Sequence, residues 1–116
     1  MSRSGAWLAA AGALCAGLAV ALAAYASHGV EGGAQSRLQT AALFAFGHGV
    51  SLALLAPAPA SGLRRLALAL LLAGMVLFSG SLVAGALLGW PTAAAPFGGT
   101  LTIAAWLLLA VDFLRR

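Results

Sequence analysis

Between Arg37 and Ala56 the sequence is apolar apart from a few neutral polar groups, and near its middle stands one imidazole, His48. An ionisable side chain at bilayer depth is costly, so it faces neighbouring helices or a cavity and marks a candidate functional position. A neutral imidazole carries one donor and one acceptor. The chemistry within its reach is therefore hydrogen bonding, proton exchange or ligand contact. Thr40, Ser51, Ser79 and Ser81 are the polar side chains that could complete a network around it, and Thr40 and Ser51 share roughly its helical face. With no carboxylate at its depth, a neutral ring turned into the protein and hydrogen-bonded to another helix or a trapped water is expected.

Other chemistries lack the residues they need. His28 lies at the outer end of the first apolar segment, about 13 Å from the depth of His48 at 1.5 Å per residue. A bis-histidine haem, or a metal held by His28, His48 and Glu31, is not expected, and no cofactor or metal is assigned. A proton-coupled exporter would want a carboxylate deep in a span, whereas Glu31 and Asp112 both stand at span edges. Asp112 is three residues before Arg115 and reads as a solvated or paired end charge. No serine, histidine and carboxylate share one level, so hydrolytic catalysis has no machinery and an enzyme is not expected. Cys15 is the single cysteine, which excludes an intrachain disulfide and a thiolate cage, and it reads as a small apolar packing residue.

The elements that position these side chains follow from composition. Of 116 residues, 63% are hydrophobic and 7% charged, far outside the soluble range. This is an all-α integral membrane protein with the lipid bilayer as its first partner. The net charge of +4 comes from six arginines and no lysine, in runs no longer than two, which makes no phosphate-tracking stripe for nucleic acid.

Four apolar runs, at about 6–26, 38–56, 66–88 and 98–114, are each long enough to cross a hydrocarbon core of roughly 30 Å as a helix. They make a single domain over 1–116, a four-helix bundle. Arg3 and the Ala24-Tyr25-Ala26 triplet imitate a signal peptide, but the first apolar run is longer than a signal core and is expected to be retained. Polar links at 27–36, 57–65 and 89–97 separate the runs, and Pro57 and Pro59 stop the second. Trp90 in the third link suits the headgroup level.

Small residues recur along the spans: Gly5, Ala9, Ala13, Gly17 and Ala21 in the first, Ala41, Ala45, Gly49 and Ala53 in the second, Ser81, Gly85 and Gly89 in the third. Such strips let helix backbones approach closely, so the first two helices are expected to pair, with Gly17, Gly49, Gly80, Gly85, Gly98 and Gly99 as packing positions. Four spans place both termini on one side. That side holds Arg3, Arg64, Arg65, Arg115 and Arg116 against Arg37 alone on the other, so the termini are expected to be cytoplasmic.

Read together, the motifs resemble a known family. Tyr25-Ala26-Ser27-His28-Gly29 follows the first span, Gln39-Thr40-Ala41 precedes His48, Phe78-Ser79-Gly80-Ser81-Leu82 lies in the third span, and Pro96-Phe97-Gly98-Gly99 with Ala105-Trp106-Leu107-Leu108-Leu109-Ala110 occupies the fourth. This order resembles the domain of unknown function 423 family, which includes YgdD-like bacterial inner-membrane proteins and transmembrane protein 256-like proteins of eukaryotes. The resemblance implies a small multi-pass membrane protein, brings no activity with it, and argues against cleavage after Ala26. Phe44 and Ala45 stand where the family tends to carry tyrosine and glutamine, and Ala95 where a threonine is common, so a polar network around His48 is thinner here.

Two functions fit these residues. One is a structural or assembly protein of the bacterial inner membrane that packs through its alanine and glycine strips, against copies of itself or a membrane-protein partner. The alternative is a small transporter or ligand-binding protein that uses His48 as its polar centre.

Overall fold

The computed structural model describes residues 2–115. Four α-helices follow one another: α1 (Arg3–His28), α2 (Gly32–Leu55), α3 (Gly62–Leu88) and α4 (Ala95–Leu114). All four are long and apolar enough to cross a membrane.

Each helix begins a few residues before the apolar run that signals it. Hydropathy reports where lipid begins, while the backbone ladder continues into the polar flank until a cap or proline ends it. Ser2 caps α1 by accepting from the Gly5 amide at 3.0 Å, and Ser61 caps α3 by accepting from the Arg64 amide at 3.1 Å. The expected ten-residue link between the first two spans contracts to Gly29, Val30 and Glu31. There Gln35 donates through its amide to the Ala26 carbonyl at 2.9 Å, satisfying an end carbonyl of α1. α2 stops at Leu55, just before Pro57. α3 stops at Gly89, whose φ of 69° is the left-handed conformation that closes a helix.

The helices form two tight hairpins, α1 with α2 and α3 with α4, joined where α2 lies along α3, and α1 also touches α3. Among the described residues the α4 backbone comes close only to α3, so the arrangement is less closed than a four-cornered bundle. Leu38, Leu52, Leu68, Leu71, Met75 and Leu109 fill the core. Gly5 meets the Ala56 carbonyl, and Asp112 meets Ser61 and Arg64. The start of α1, the end of α4 and the α2–α3 link therefore gather at one end of the described structure.

Burial follows a heptad rule. In α1 the buried residues are Gly5, Gly12, Ala19 and Ala26, one every seventh position. In α4 they are Ala95, Gly98, Thr102, Ala105, Leu109 and Asp112, alternating three and four apart. A repeat averaging 3.5 is the signature of left-handed packing, in which a seam stays turned toward its partner. The expected four-residue strip of α1 drifts about 40° per step on a helix of 3.6 residues per turn. It starts at the α2 interface with Gly5 and ends exposed at Ala13, Gly17 and Ala21.

The close approaches sit where the heptad puts them. A Cβ on Gly12 would lie 2.6 Å from the Gly49 carbonyl oxygen, and one on Gly49 would lie 2.6 Å from that of Gly12. Gly98 plays the same part between α4 and α3, where a Cβ would fall 2.5 Å from the Phe78 amide nitrogen and 2.7 Å from the Gly74 carbonyl oxygen. Gly85 packs against the Thr92 methyl, and Gly99 reaches only the Phe78 ring edge at 3.9 Å. Gly17 and Gly80 are exposed with nothing near them, so neither packs a helix inside this chain.

Candidate functional site

His48 sits two-thirds of the way along α2, partly buried, with both ring nitrogens engaged. Nδ1 lies 2.7 Å from the Phe44 carbonyl oxygen one turn back, and Nε2 lies 3.0 Å from Nε1 of Trp106 on α4. An indole N–H only donates, so Nε2 must accept. The ring proton then belongs on Nδ1, where it is given to Phe44. One neutral tautomer satisfies both bonds together, an assignment that follows from the network.

The ring is also stacked. Phe44 lies against His48 and against Phe78 of α3, each with centroids 4.1 Å apart, and the His48 and Trp106 rings are 5.8 Å apart. Phe78, Phe44, His48 and Trp106 thus make a ladder from α3 across α2 to α4. It bridges α2 and α4, whose backbones do not meet. Trp106 is 41% exposed, so the ladder's outer edge faces the surroundings of the bundle.

None of the hydroxyls expected around His48 bonds to it. Ser51 donates to the Gly47 carbonyl of its own helix at 2.8 Å. Ser79 is buried and donates to the Ala41 carbonyl at 2.9 Å, tying α3 to α2. Ser81 has a buried hydroxyl without a partner, and Thr40 is exposed. The imidazole's side-chain partner is instead Trp106, whose indole reaches across from α4. Trp106 was visible in the sequence as an indole well inside a span, which is where an indole N–H needs a partner.

A second polar centre lies at the end shared by the start of α1 and the end of α4, where Asp112 is the paired, not the solvated, end charge of the two expected, and its partner is Arg64. Asp112 is 2% exposed and Arg64 6%. Arg64 Nε donates to Asp112 Oδ2 at 2.8 Å, and Ser61 Oγ donates to Oδ1 at 2.7 Å. The Arg64 guanidinium carbon lies 4.7 Å from the Phe113 ring centre, a cation–π distance. His48 is therefore not the most buried ionisable group. Position 112 continues the inward register of 105 and 109, as 64 does that of 68 and 71, and that register was the available signal. Ser61 has two roles, capping α3 and holding the carboxylate of α4.

His28 is exposed at the opposite end. It borders an open polar hollow with Ser27, Glu31 and Gln35. It shares no hydrogen bond or ring contact with His48. Among the described residues no group of three or more His, Cys, Asp or Glu side chains is placed to hold a metal ion.

No solved structure matches this chain. A family model described as "Protein of unknown function (DUF423)" matches residues 22–99. The match runs from the last turns of α1 through α2 and α3 into the first turn of α4. It contains His48 and Arg64, whose partners Trp106 and Asp112 lie beyond it, and it contains both Ser79 and its acceptor Ala41. The chain belongs to the DUF423 family of proteins of unknown function.

Proposed function

We propose that the protein is a structural or assembly component of the bacterial inner membrane, multi-pass with both termini cytoplasmic, and not an enzyme. The observation that carries this reading is that both nitrogens of His48 are engaged by the protein itself. A transport or binding centre needs a donor or acceptor left for its cargo, and this imidazole keeps none. The glycine seams at Gly12 with Gly49 and at Gly74 with Gly98 support it, since close backbone approach holds helices together where lipid offers no hydrophobic drive.

The outward part of the α1 strip, Ala13, Gly17 and Ala21, is exposed along its length and offers a copy of the chain or another membrane protein the same kind of approach. The experiment is a comparison of the parent with Gly17→Leu by cross-linking in native membranes and by size in detergent. The expected result is loss of assembly with helix content and unfolding unchanged. Assembly unaffected by Gly17→Leu, together with solute or proton flux in proteoliposomes that His48→Phe abolishes, would replace this reading with the transport one.

A further inference from the structure

At the arginine-rich end, α1 carries a shallow open groove of about 290 Å³ bounded by Arg3, Ala6, Trp7 and Ala10. We propose that this groove binds an anionic phospholipid, with the headgroup phosphate on Arg3 and an acyl chain running over Ala10 toward Leu14. The inference goes beyond the reading above and does not depend on His48.

Charge makes the first argument. The arginines at this end are not equivalent: Arg64 is buried against Asp112, and Arg65 reaches the Ala60 carbonyl, at 3.5 Å. Arg3 and Arg115 are exposed, and among the described residues neither guanidinium has a hydrogen-bond or ion-pair partner, but of the two only Arg3 borders the groove. A guanidinium at the membrane surface with no partner of its own is complementary to phosphate, which it can grip through two N–H groups.

Shape makes the second. Arg3, Trp7, Ala10 and Leu14 follow at steps of four, three and four, so they share one face of the helix, and all are exposed. Trp7, 73% exposed and one turn inward from Arg3, stands where an indole sits at the headgroup level. The small side chains of Ala6 and Ala10 leave the hollow beside it. From Ala6 to Leu14 the track is about 12 Å long at 1.5 Å per residue. That is most of one leaflet's share of a roughly 30 Å hydrocarbon core.

A protein helix fits this part of α1 poorly. Trp7 and Arg3 project where close backbone approach would be needed, and a parallel two-fold copy would set Arg3 against Arg3. A helix docked further along, on Ala13, Gly17 and Ala21, leaves the face of Arg3 and Trp7 to lipid.

The test is native mass spectrometry of the full chain, titrated with phosphatidylglycerol or phosphatidylcholine of matched acyl chains. One arginine near a charged lipid surface is worth about 1 kcal/mol, or about fivefold in affinity. The parent should favour phosphatidylglycerol by about that factor, Arg3→Gln should bring the two lipids to parity, and Arg65→Gln should leave the preference intact. Inorganic phosphate should not displace the bound lipid. Equal binding of both lipids by the parent, an undiminished preference in Arg3→Gln, loss of preference in Arg65→Gln instead, or displacement by free phosphate would each overturn the proposal.

Discussion

Trp106 Nε1 donates to His48 Nε2 across 3.0 Å, and this bond bridges α2 and α4 although their backbones do not approach. An imidazole in hydrocarbon without partners would carry a cost of several kcal/mol. Here it is relieved by one carbonyl of its own helix and one indole of another. The polar group most suggestive of chemistry is thereby used to position a helix that otherwise rests on α3.

Removing either side chain of this pair should loosen α4. We expect His48→Phe and Trp106→Phe each to lower stability, with a coupling between them of about 0.5–1.5 kcal/mol in a double-mutant cycle, the range of interhelical hydrogen bonds in membranes. Unfolding of the four proteins in mixed micelles measures it. Strict additivity would mean that the bond contributes nothing.

The ion pair should matter more. Asp112→Ala leaves the Arg64 guanidinium buried and unpaired, and truncating one partner of a buried pair costs about 3–5 kcal/mol. The double replacement Arg64→Met with Asp112→Leu should recover most of that loss, because no orphaned charge remains. Ser61→Ala should cost about 1–2 kcal/mol, since the α3 cap and one carboxylate bond go together. Thermal unfolding of the purified variants gives the order. A double variant no better than Asp112→Ala would show that the pair does more than satisfy itself.

How much of this was legible in the sequence depended on the kind of signal. Four long apolar runs declared four helices, and Pro57 marked the end of α2 to within a residue or two. The seam was misread in α1, because a four-residue repeat of small side chains looks like a packing strip, whereas left-handed packing selects every seventh position and so took Gly12 and Ala19 over Gly17. His48 was found because an imidazole in an apolar run is conspicuous. Its partner was not, since hydroxyls were expected and the donor was an indole on a helix 58 residues away. Asp112 was discounted because nearness to a span edge says nothing about direction. It points inward, to a residue 48 positions earlier.

Glycines divide the same way under mutation. Gly12→Leu and Gly49→Leu force a side chain into the facing carbonyl and should destabilise the α1–α2 hairpin by about 2–3 kcal/mol or prevent its folding. Gly17→Leu and Gly80→Leu meet open space and should leave the monomer's unfolding unchanged. Helix content and unfolding in detergent distinguish the two pairs. Equal loss in all four would contradict the heptad seam.

Threading is tested separately. The arginine distribution leads us to expect a cytoplasmic carboxyl terminus and an external α1–α2 link. Reporter fusions after residue 115 and within residues 29–31 read this directly. An external signal from the carboxyl-terminal fusion would reverse the orientation.

The measurement closest to the centre of the account is nitrogen NMR of the His48 ring in lipid bilayers at neutral pH, with the indole nitrogens also labelled. We expect a neutral ring protonated on Nδ1, slow to exchange with water, and a through-bond coupling from the Trp106 indole nitrogen to His48 Nε2. A ring protonated on Nε2, or on both nitrogens, in rapid exchange with water would mean that the imidazole is open to a cargo, and would contradict the assignment of His48 to structure.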